Sequence, residues 1–233
     1  MEATEHPSCG PDRRPRVLHA DAHLVVVDKP EGMPSVPARR AADPPDVASV
    51  LAAEMAPDEP RLEAVHRLDR DTSGILVLAR CRTARVALGR AFEAGLVTKT
   101  YVALVHGHPP RDSGEVRLPV APDPRAPPRQ MVDATLGKPA TTRWRTIAPA
   151  WPGPGSSLLE LEPLTGRSHQ LRVHLAWLGC PVVGDPLYGT ARDTSATRLW
   201  LHAAGIAFPH PADGRRVVIR AALCLDGPDV EVG

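Results

Sequence analysis

A chain of 233 residues, of which 42% are apolar, can bury the core of one domain, and its formal net charge of +1 is small for a protein that binds nucleic acid. No run of about eighteen apolar residues occurs and the first residues lack the pattern of a signal peptide, which argues against a membrane-spanning or secreted protein and predicts a cytoplasmic one. The four cysteines form no Cys-x-x-Cys pair, so neither a disulfide framework nor a zinc knuckle is expected.

The N-terminal half predicts strands and two helices. A loose tail over residues 1–15 precedes them. Apolar runs, an Asp46 cap and a stop at Gly95 predict the following elements: strands at Val17–Ala20, Leu24–Val27, Leu62–Leu68 and Ile75–Leu78, a turn at Asp21–His23, and helices from Asp46 to Met55 and from Thr83 to Ala94.

The C-terminal half predicts more strands and one helix, which Ser168 caps and which ends before Gly179. The strands are expected at Thr98–Val105, Glu115–Val120, Ala140–Ile147, Ser157–Leu164, Leu199–Phe208 and Arg216–Ala221, with an exposed proline-rich loop at Ala121–Arg129. Many strands, few helices and no βαβ alternation favour an α+β fold with a largely antiparallel sheet. We expect one domain over residues 16–225 and an acidic tail over 226–233.

The most informative run lies between two of the predicted strands and reads His66-Arg67-Leu68-Asp69-Arg70-Asp71-Thr72-Ser73-Gly74. Loops held by rigid strands often carry function. The period of two places Arg67 and Asp69 on the same side of the strand, so a cation and a carboxylate leave the sheet edge together. Taken alone, the run is equally consistent with a surface ion pair and an Asx turn.

This run resembles the active-site motif of the RluA-type pseudouridine synthases, which convert uridine in RNA to pseudouridine. Further blocks match in the family's order, from about Val17 to about Ala221: Lys29-Pro30-Glu31-Gly32, Lys99-Thr100-Tyr101, the block from Thr165 to His174, Gly184-Asp185-Pro186-Leu187-Tyr188-Gly189 and Leu201-His202-Ala203. The resemblance implies the pseudouridine synthase fold, a mixed sheet with a central cleft flanked by few helices.

The reaction requires a group that supports the sugar or the base while the bond from C1′ to N1 is broken, and a carboxylate can serve. The resemblance makes Asp69 the nucleophile, Arg172 its ion-pair partner, and Tyr101 the residue that packs on uracil and removes the proton from C5. The alternative for Arg172 is a structural salt bridge to another acid. Whether Asp69 attacks the sugar or the base stays open.

RNA contacts are expected from basic residues near these positions. Arg67 would fill the space of the flipped uridine, and Arg167 would contact phosphate. Lys29 is interpreted first as structural and second as an RNA contact. The full set of candidates is Arg67, Arg70, Arg167, His169, Lys29 and Lys99. Two basic clusters, at Arg61–Arg90 and Arg125–Arg145, each carry a local charge of about +4 and fit phosphate binding.

The spelling of several blocks, among them the one from Arg167 to Leu175, resembles the short RluA subgroup. That subgroup modifies a hairpin loop of large-subunit ribosomal RNA and an anticodon stem-loop of transfer RNA. Sixteen residues before the first strand cannot hold the S4 RNA-binding module of many relatives, so recognition is expected from the catalytic domain. We expect no metal, no other cofactor, no membrane association and a monomer.

Two alternatives belong to other functional classes. The chain could be a non-catalytic RNA-binding protein, which would have no use for Asp69. It could also be a metal-dependent hydrolase with ligands among His66, His169, His174, His202 and Asp185. Against the second, His169 and His174 are five residues apart, or about 140° on a helix.

Overall fold

The computed structural model describes residues 14–37, 44–53, 61–189 and 196–222. The strands are β1 (Arg16–Ala20), β2 (Leu24–Lys29), β3 (Glu63–Ala64), β4 (Ser73–Ala79), β5 (Thr98–His106), β6 (Ser113–Arg117), β7 (Val120–Pro122), β8 (Gln130–Val132), β9 (Thr141–Pro149), β10 (Ser156–Pro163), β11 (Leu201–Pro209) and β12 (Arg216–Arg220). The helices are α1 (Val47–Ala52), α2 (Arg82–Glu93) and α3 (Gln170–Trp177). The predicted α+β class is confirmed.

One long sheet organises the described chain. Its order is β1-β2-β4-β11-β5-β10-β9-β6, with β12 also on β11 and β3 also on β4, while β7 and β8 form a separate hairpin. The central pair β4–β11 is parallel, and the other paired strands are antiparallel. The prediction of a mixed, largely antiparallel sheet is confirmed.

The N-terminal half of the sheet is covered on both faces. Along β4, Ile75 and Val77 pack in one cluster with Leu88 of α2, and the intervening Leu76 packs in another with Leu51 of α1. Side chains alternate between faces in a strand, so two apolar layers require a strand that is apolar throughout. This explains why β4 is buried at every position.

In the C-terminal half, α3 packs on the sheet. Leu171 and Leu175, four residues apart on one face of α3, lie in one cluster with Leu159 and Leu161 of β10. Tyr101 contacts this cluster and also the cluster around α1. The tyrosine therefore lies where the two halves of the sheet meet.

Gly74 allows β4 and β11 to approach closely at that junction. Gly74 pairs with Ala203 across β4 and β11 and has a φ of +107°. A Cβ on Gly74 would lie 2.4 Å from the carbonyl oxygen of Ala203, a distance that no side chain tolerates. The last residue of the 66–74 run is thus needed for the fold.

The strand predicted over Leu62–Leu68 is wrong beyond its first residues. The ladder with β4 covers Glu63 and Ala64, and the Val65 amide adds one bond to the Val77 carbonyl at 3.1 Å. The backbone nitrogen of Leu68 donates to the Ser35 hydroxyl, and that hydroxyl contacts the Leu68 carbonyl oxygen, both at 3.0 Å. A side chain therefore takes the backbone groups that a ladder would have used.

Other elements also begin or end at residues that differ from the prediction. The helix predicted from Ser168 begins at Gln170 because His169 is its N-cap in the left-handed conformation. Asp46 caps α1 as predicted, and α1 ends at Ala52, while Met55 lies outside the described residues. The predicted loop at Ala121–Arg129 is shorter than expected because β7 extends to Pro122 and pairs with β8.

Candidate active site

Backbone hydrogen bonds hold the loop that carries Asp69. Beyond the contact with Ser35, the Thr72 amide donates to the Asp69 carbonyl at 3.1 Å. Lys29 Nζ donates to the carbonyl of Arg70 at 2.9 Å. These bonds fix the main chain on both sides of the carboxylate, which limits the positions that the Asp69 side chain can adopt.

Lys29 is completely buried, with 0% exposure. Its ammonium also donates to the carbonyls of Pro30 and Met33, both at 2.8 Å. Burial lowers the pKa of Lys29 to about 7, while the charges of Asp71 and Asp69 act in the opposite direction. The burial favours the structural interpretation of Lys29 over the RNA contact.

Arg172 connects two carboxylates at the cleft. Its side chain is 3% exposed, and it donates from Nε and Nη2 to the two oxygens of Asp185, at 2.7 and 2.6 Å. Arg172 Nη1 lies 3.4 Å from Asp69 Oδ2. The bidentate pair with Asp185 is the stronger one, because charge-assisted bonds strengthen as they shorten.

Because Arg172 pairs more strongly with Asp185, it offsets the negative charge of Asp69 only in part. Asp69 is 23% exposed and faces the cleft, whereas Asp185 is fully enclosed. Asp185 Oδ1 also accepts hydrogen bonds from the amides of Leu187 and Tyr188. Asp185 thus holds Arg172 in place, and Asp69 remains available to a substrate.

Tyr101 lines the same cleft from β5. Burial, followed by the negative charge of Asp69, raises the pKa of Tyr101 well above its usual value. The phenol is therefore the resting form at neutral pH. To act as a base the phenol must first lose its own proton, and covering the charge of Asp69 with substrate lowers the pKa of Tyr101 and makes that loss easier.

His169 lies between Asp69 and Tyr188. Its Nε2 is 4.0 Å from Asp69 Oδ2, and its Nδ1 is 2.8 Å from the Tyr188 hydroxyl. Burial, with further contributions from Arg172 and Arg67, lowers the pKa of His169, although Asp69 and Asp185 oppose the change. The imidazole is accordingly neutral at pH 7.

The cleft that these residues line has a volume of about 500 Å³. Seven of the nine predicted site residues line it: Asp69, Tyr101, Arg172, Arg67, Arg167, His169 and Lys99. Arg70 is not among its lining residues and pairs with Asp71 at 3.1 Å on the surface. The structure thus brings together residues that are up to 105 positions apart in the chain, from Arg67 to Arg172.

The basic residues at the cleft differ in how freely they can meet phosphate. Arg67 and Arg167 are exposed, and Arg167 Nε donates to the Pro139 carbonyl at 3.1 Å. Lys99 is half-buried, and desolvation lowers its pKa. Among the described residues no carboxylate forms a salt bridge with Lys99, so an RNA phosphate could supply the missing negative charge.

The basic cluster predicted at Arg125–Arg145 is only partly available. Arg145 forms a bidentate pair with Glu160, at 2.6 and 2.9 Å, on the neighbouring strand. Arg143 contacts Glu115 at 3.0 Å and Glu162 at 3.4 Å. These cross-strand pairs offset the charge of both arginines, so the local charge of about +4 counted in the sequence overstates the charge that this cluster offers to phosphate.

The histidines of the metal-site alternative do not converge. His66 Nε2 accepts a hydrogen bond from the Val77 amide, and His202 Nδ1 contacts the Ser73 hydroxyl. His174 bonds to Thr142 and to the Leu118 carbonyl. Within the described ranges no group of three His, Cys, Asp or Glu residues could hold a metal ion.

In the same ranges no helix has the length and apolar character needed to cross a bilayer.

Sequence reasoning missed two contributors. Asp185 and Tyr188 were not among the predicted site residues, yet Asp185 is the main partner of Arg172, and Tyr188 bonds to His169. The signal was present in the block Gly184-Asp185-Pro186-Leu187-Tyr188-Gly189, which contains a carboxylate and one of only two tyrosines. The sequence could not show how close that block lies to α3 in the fold.

Known proteins are similar to this chain over most of its length. The sequence model of the RNA pseudouridylate synthase family matches residues 23–177. A relative from Salmonella typhi, the dual-specificity RNA pseudouridine synthase RluA, is 40% identical over 205 residues, covering 88% of this chain and 91% of the relative. The protein of the same name from Vibrio vulnificus is 38% identical over 198 residues, with 84% and 78% coverage.

A solved structure agrees at the level of the fold. Human RNA pseudouridylate synthase domain containing 1 superposes with a TM-score of 0.75 at 28% identity, covering 92% of this chain and 86% of the human one. The similarity in fold therefore includes almost the whole chain.

Proposed function

The chain belongs to the RNA pseudouridylate synthase family and is an RNA pseudouridine synthase, and on that basis we propose its substrates and the roles of its residues. The substrates are a hairpin loop of large-subunit ribosomal RNA and an anticodon stem-loop of transfer RNA. The dual-specificity name of the relatives supports two targets. The protein acts as a monomer in the cytoplasm, and its one catalytic domain recognises the RNA.

The observation that carries the assignment of Asp69 is its place in the cleft. Asp69 is the partly exposed carboxylate beside a buried arginine, and Arg172 lies 3.4 Å from it. The bond from C1′ to N1 breaks and its electrons leave with uracil, while Asp69 supports or bonds to the electron-poor carbon. A bond from C1′ to C5 then forms, C5 loses a proton and N1 gains one, so the reaction is an isomerisation.

The cleft also has to exclude water, because the detached sugar would otherwise be hydrolysed. Arg67 stands at the exposed side of the cleft, where it fills the space that the flipped uridine leaves in the RNA. Lys99, Arg167 and Arg70 contact phosphates. These contacts give binding that falls as the salt concentration rises.

Tyr101→Phe removes only the hydroxyl that takes the proton from C5. We expect the variant to bind RNA normally and to release tritium from RNA containing 5-tritiated uridine about 100-fold to 10,000-fold more slowly, which is the usual range for a proton-transfer group. Release at the wild-type rate would remove Tyr101 from the proton-transfer step and leave it a packing role only.

The choice of RNA is tested by mapping pseudouridine in total RNA from a strain that lacks this gene. The proposal expects one position to be lost in large-subunit ribosomal RNA and one in transfer RNA, and both to return when the gene is restored. Unchanged maps of both RNA classes would refute the two proposed substrates, and the proposed roles of the catalytic residues would not be affected.

A further inference from the structure

Tyr188 occupies an unusual position for a residue that never reaches the cleft. Its ring has the guanidinium of Arg172 at 5.1 Å and that of Arg129, next to β8, at 5.2 Å. Its hydroxyl is 2.6 Å from the backbone nitrogen of Gln130 and 2.8 Å from His169 Nδ1. Four groups thus hold the ring and hydroxyl, and one of them is an imidazole beside Asp69.

The hydrogen bonds at the hydroxyl define the tautomer of His169. A backbone N–H can only donate, so the Tyr188 oxygen accepts from Gln130. The hydroxyl retains one proton, and in the described part of the chain His169 Nδ1 is the acceptor within reach. Burial raises the pKa of Tyr188, so that proton stays on the phenol at neutral pH. His169 Nδ1 therefore carries no hydrogen, and Nε2 carries it.

That Nε2–H points toward the substrate's place. It lies 4.0 Å from Asp69 Oδ2, too far for a hydrogen bond, and His169 lines the cleft. A nucleotide that Asp69 can attack must come within about 3 Å of that carboxylate, and therefore within reach of Nε2. The backbone of His169 is also held in the left-handed region, at a φ of 53°, which non-glycine residues adopt only at a cost.

Resting on the proposed function, we infer that His169, held by Tyr188 as the Nε2–H tautomer, donates a hydrogen bond to the departing uracil. When the bond from C1′ to N1 breaks, the electron pair moves onto the base and spreads over its carbonyl oxygens. A fixed N–H in a cleft that excludes water stabilises such developing charge. The same charge develops on the base whether Asp69 attacks the sugar or the ring. Tyr188 is a positioning residue, and His169 touches the substrate.

The tautomer can be measured on the free protein by the ¹⁵N chemical shifts of its histidine side chains. Two other histidines serve as internal standards. His66 Nε2 accepts from an amide and requires the Nδ1–H form, while His174 Nε2 faces a carbonyl and requires the Nε2–H form. We expect His169 to match His174 in the wild type, and to become a mixture of both forms in Tyr188→Phe. An Nδ1–H form in the wild type would overturn the inference.

Kinetics test the donor itself. His169→Leu should lower the single-turnover rate at saturating RNA about 100-fold, the effect of losing one such donor, with RNA affinity unchanged. His169→Gln has the same backbone strain and places an N–H near the Nε2 position, so it should recover at least about tenfold. Tyr188→Phe should lose about tenfold. Equal rates for the wild type and His169→Leu, or for Leu and Gln, would contradict the donor role.

The two proposals fail in different ways. If the wild type forms no pseudouridine in the ribosomal or transfer RNA, the substrate proposal fails, and total RNA then serves as the substrate for these variants. If the wild type is active and His169→Leu equals it, only the donor role fails.

Discussion

Asp69→Asn is expected to abolish pseudouridine formation while the protein remains folded and binds RNA. The amide has the shape of the carboxylate but neither its charge nor its nucleophilic oxygen, so the step that detaches the base loses its support. Loss of such a group from a catalytic site lowers turnover by about 10,000-fold or more. Pseudouridine in treated RNA is quantified by the mass shift of pseudouridine-specific labelling.

Asp71→Asn is the matched control for this variant. Asp71 lies two residues away in the same loop and pairs at the surface with Arg70, so the exchange makes the same chemical change without touching the cleft. Activity within about threefold of the wild type is expected, because exposed ion pairs contribute about 1 kcal/mol or less. Turnover by Asp69→Asn, with the Asp71 control intact, would remove Asp69 from the mechanism.

Arg172→Met is expected to lower both the stability and the activity of the protein. It leaves Asp185 fully buried without its cation, and breaking a buried pair by removing one partner costs about 3–5 kcal/mol. The free energy of unfolding is measured by denaturant titration. Pseudouridine formation should fall below detection, since Asp69 loses its arginine as well.

Arg172→Lys separates the two roles of this arginine. A lysine keeps the charge and should recover part of the stability, but a single ammonium cannot make the bidentate bond to Asp185 and reach Asp69 as well. We therefore expect more stability than in Arg172→Met and little activity. Arg143→Met, which breaks exposed pairs on β9, should leave the free energy of unfolding close to that of the wild type. A similar loss in both methionine variants would contradict the central place of Arg172.

The parts of the fold that follow from local pattern were predicted well. The alternating and continuous apolar runs located β2, β4, β5 and β10, and Gly95 ends the region of α2 as its position predicted. The class of the sheet followed from the number of strands and the lack of βαβ units. These features depend on residues that are near each other in the chain.

The features that were missed depend on contacts between distant segments. The backbone of Leu68 bonds to Ser35, which no periodicity at 62–68 reveals. The N-cap of α3 is His169 in the left-handed conformation, so the helix begins at Gln170. Capping preferences predict Ser168 instead, because serine is a better cap than histidine. Both deviations lie beside Asp69, where local preference gives way to the geometry of the site.

The charge count was incomplete for the same reason. Counting charge within a window from Arg125 to Arg145 leaves out Glu160 and Glu162, which lie opposite Arg145 and Arg143 on β10. The window also cannot show that Arg172 has two carboxylate partners, of which Asp185 is the stronger. Motif matching identified Asp69, Tyr101 and Arg172 as members of one site. The structure shows in addition that Arg172 pairs more closely with Asp185 than with Asp69.

The most direct measurement uses the purified protein and two short transcripts, a large-subunit ribosomal RNA hairpin and a transfer RNA anticodon stem-loop. Each transcript carries 5-tritiated uridine, and tritium release is followed together with the mass shift of labelled pseudouridine. The account predicts release and conversion at one uridine in each RNA by the wild type, and neither signal with Asp69→Asn. Conversion that persists in Asp69→Asn, or RNA binding by the wild type without conversion in either transcript or in total RNA, would contradict it.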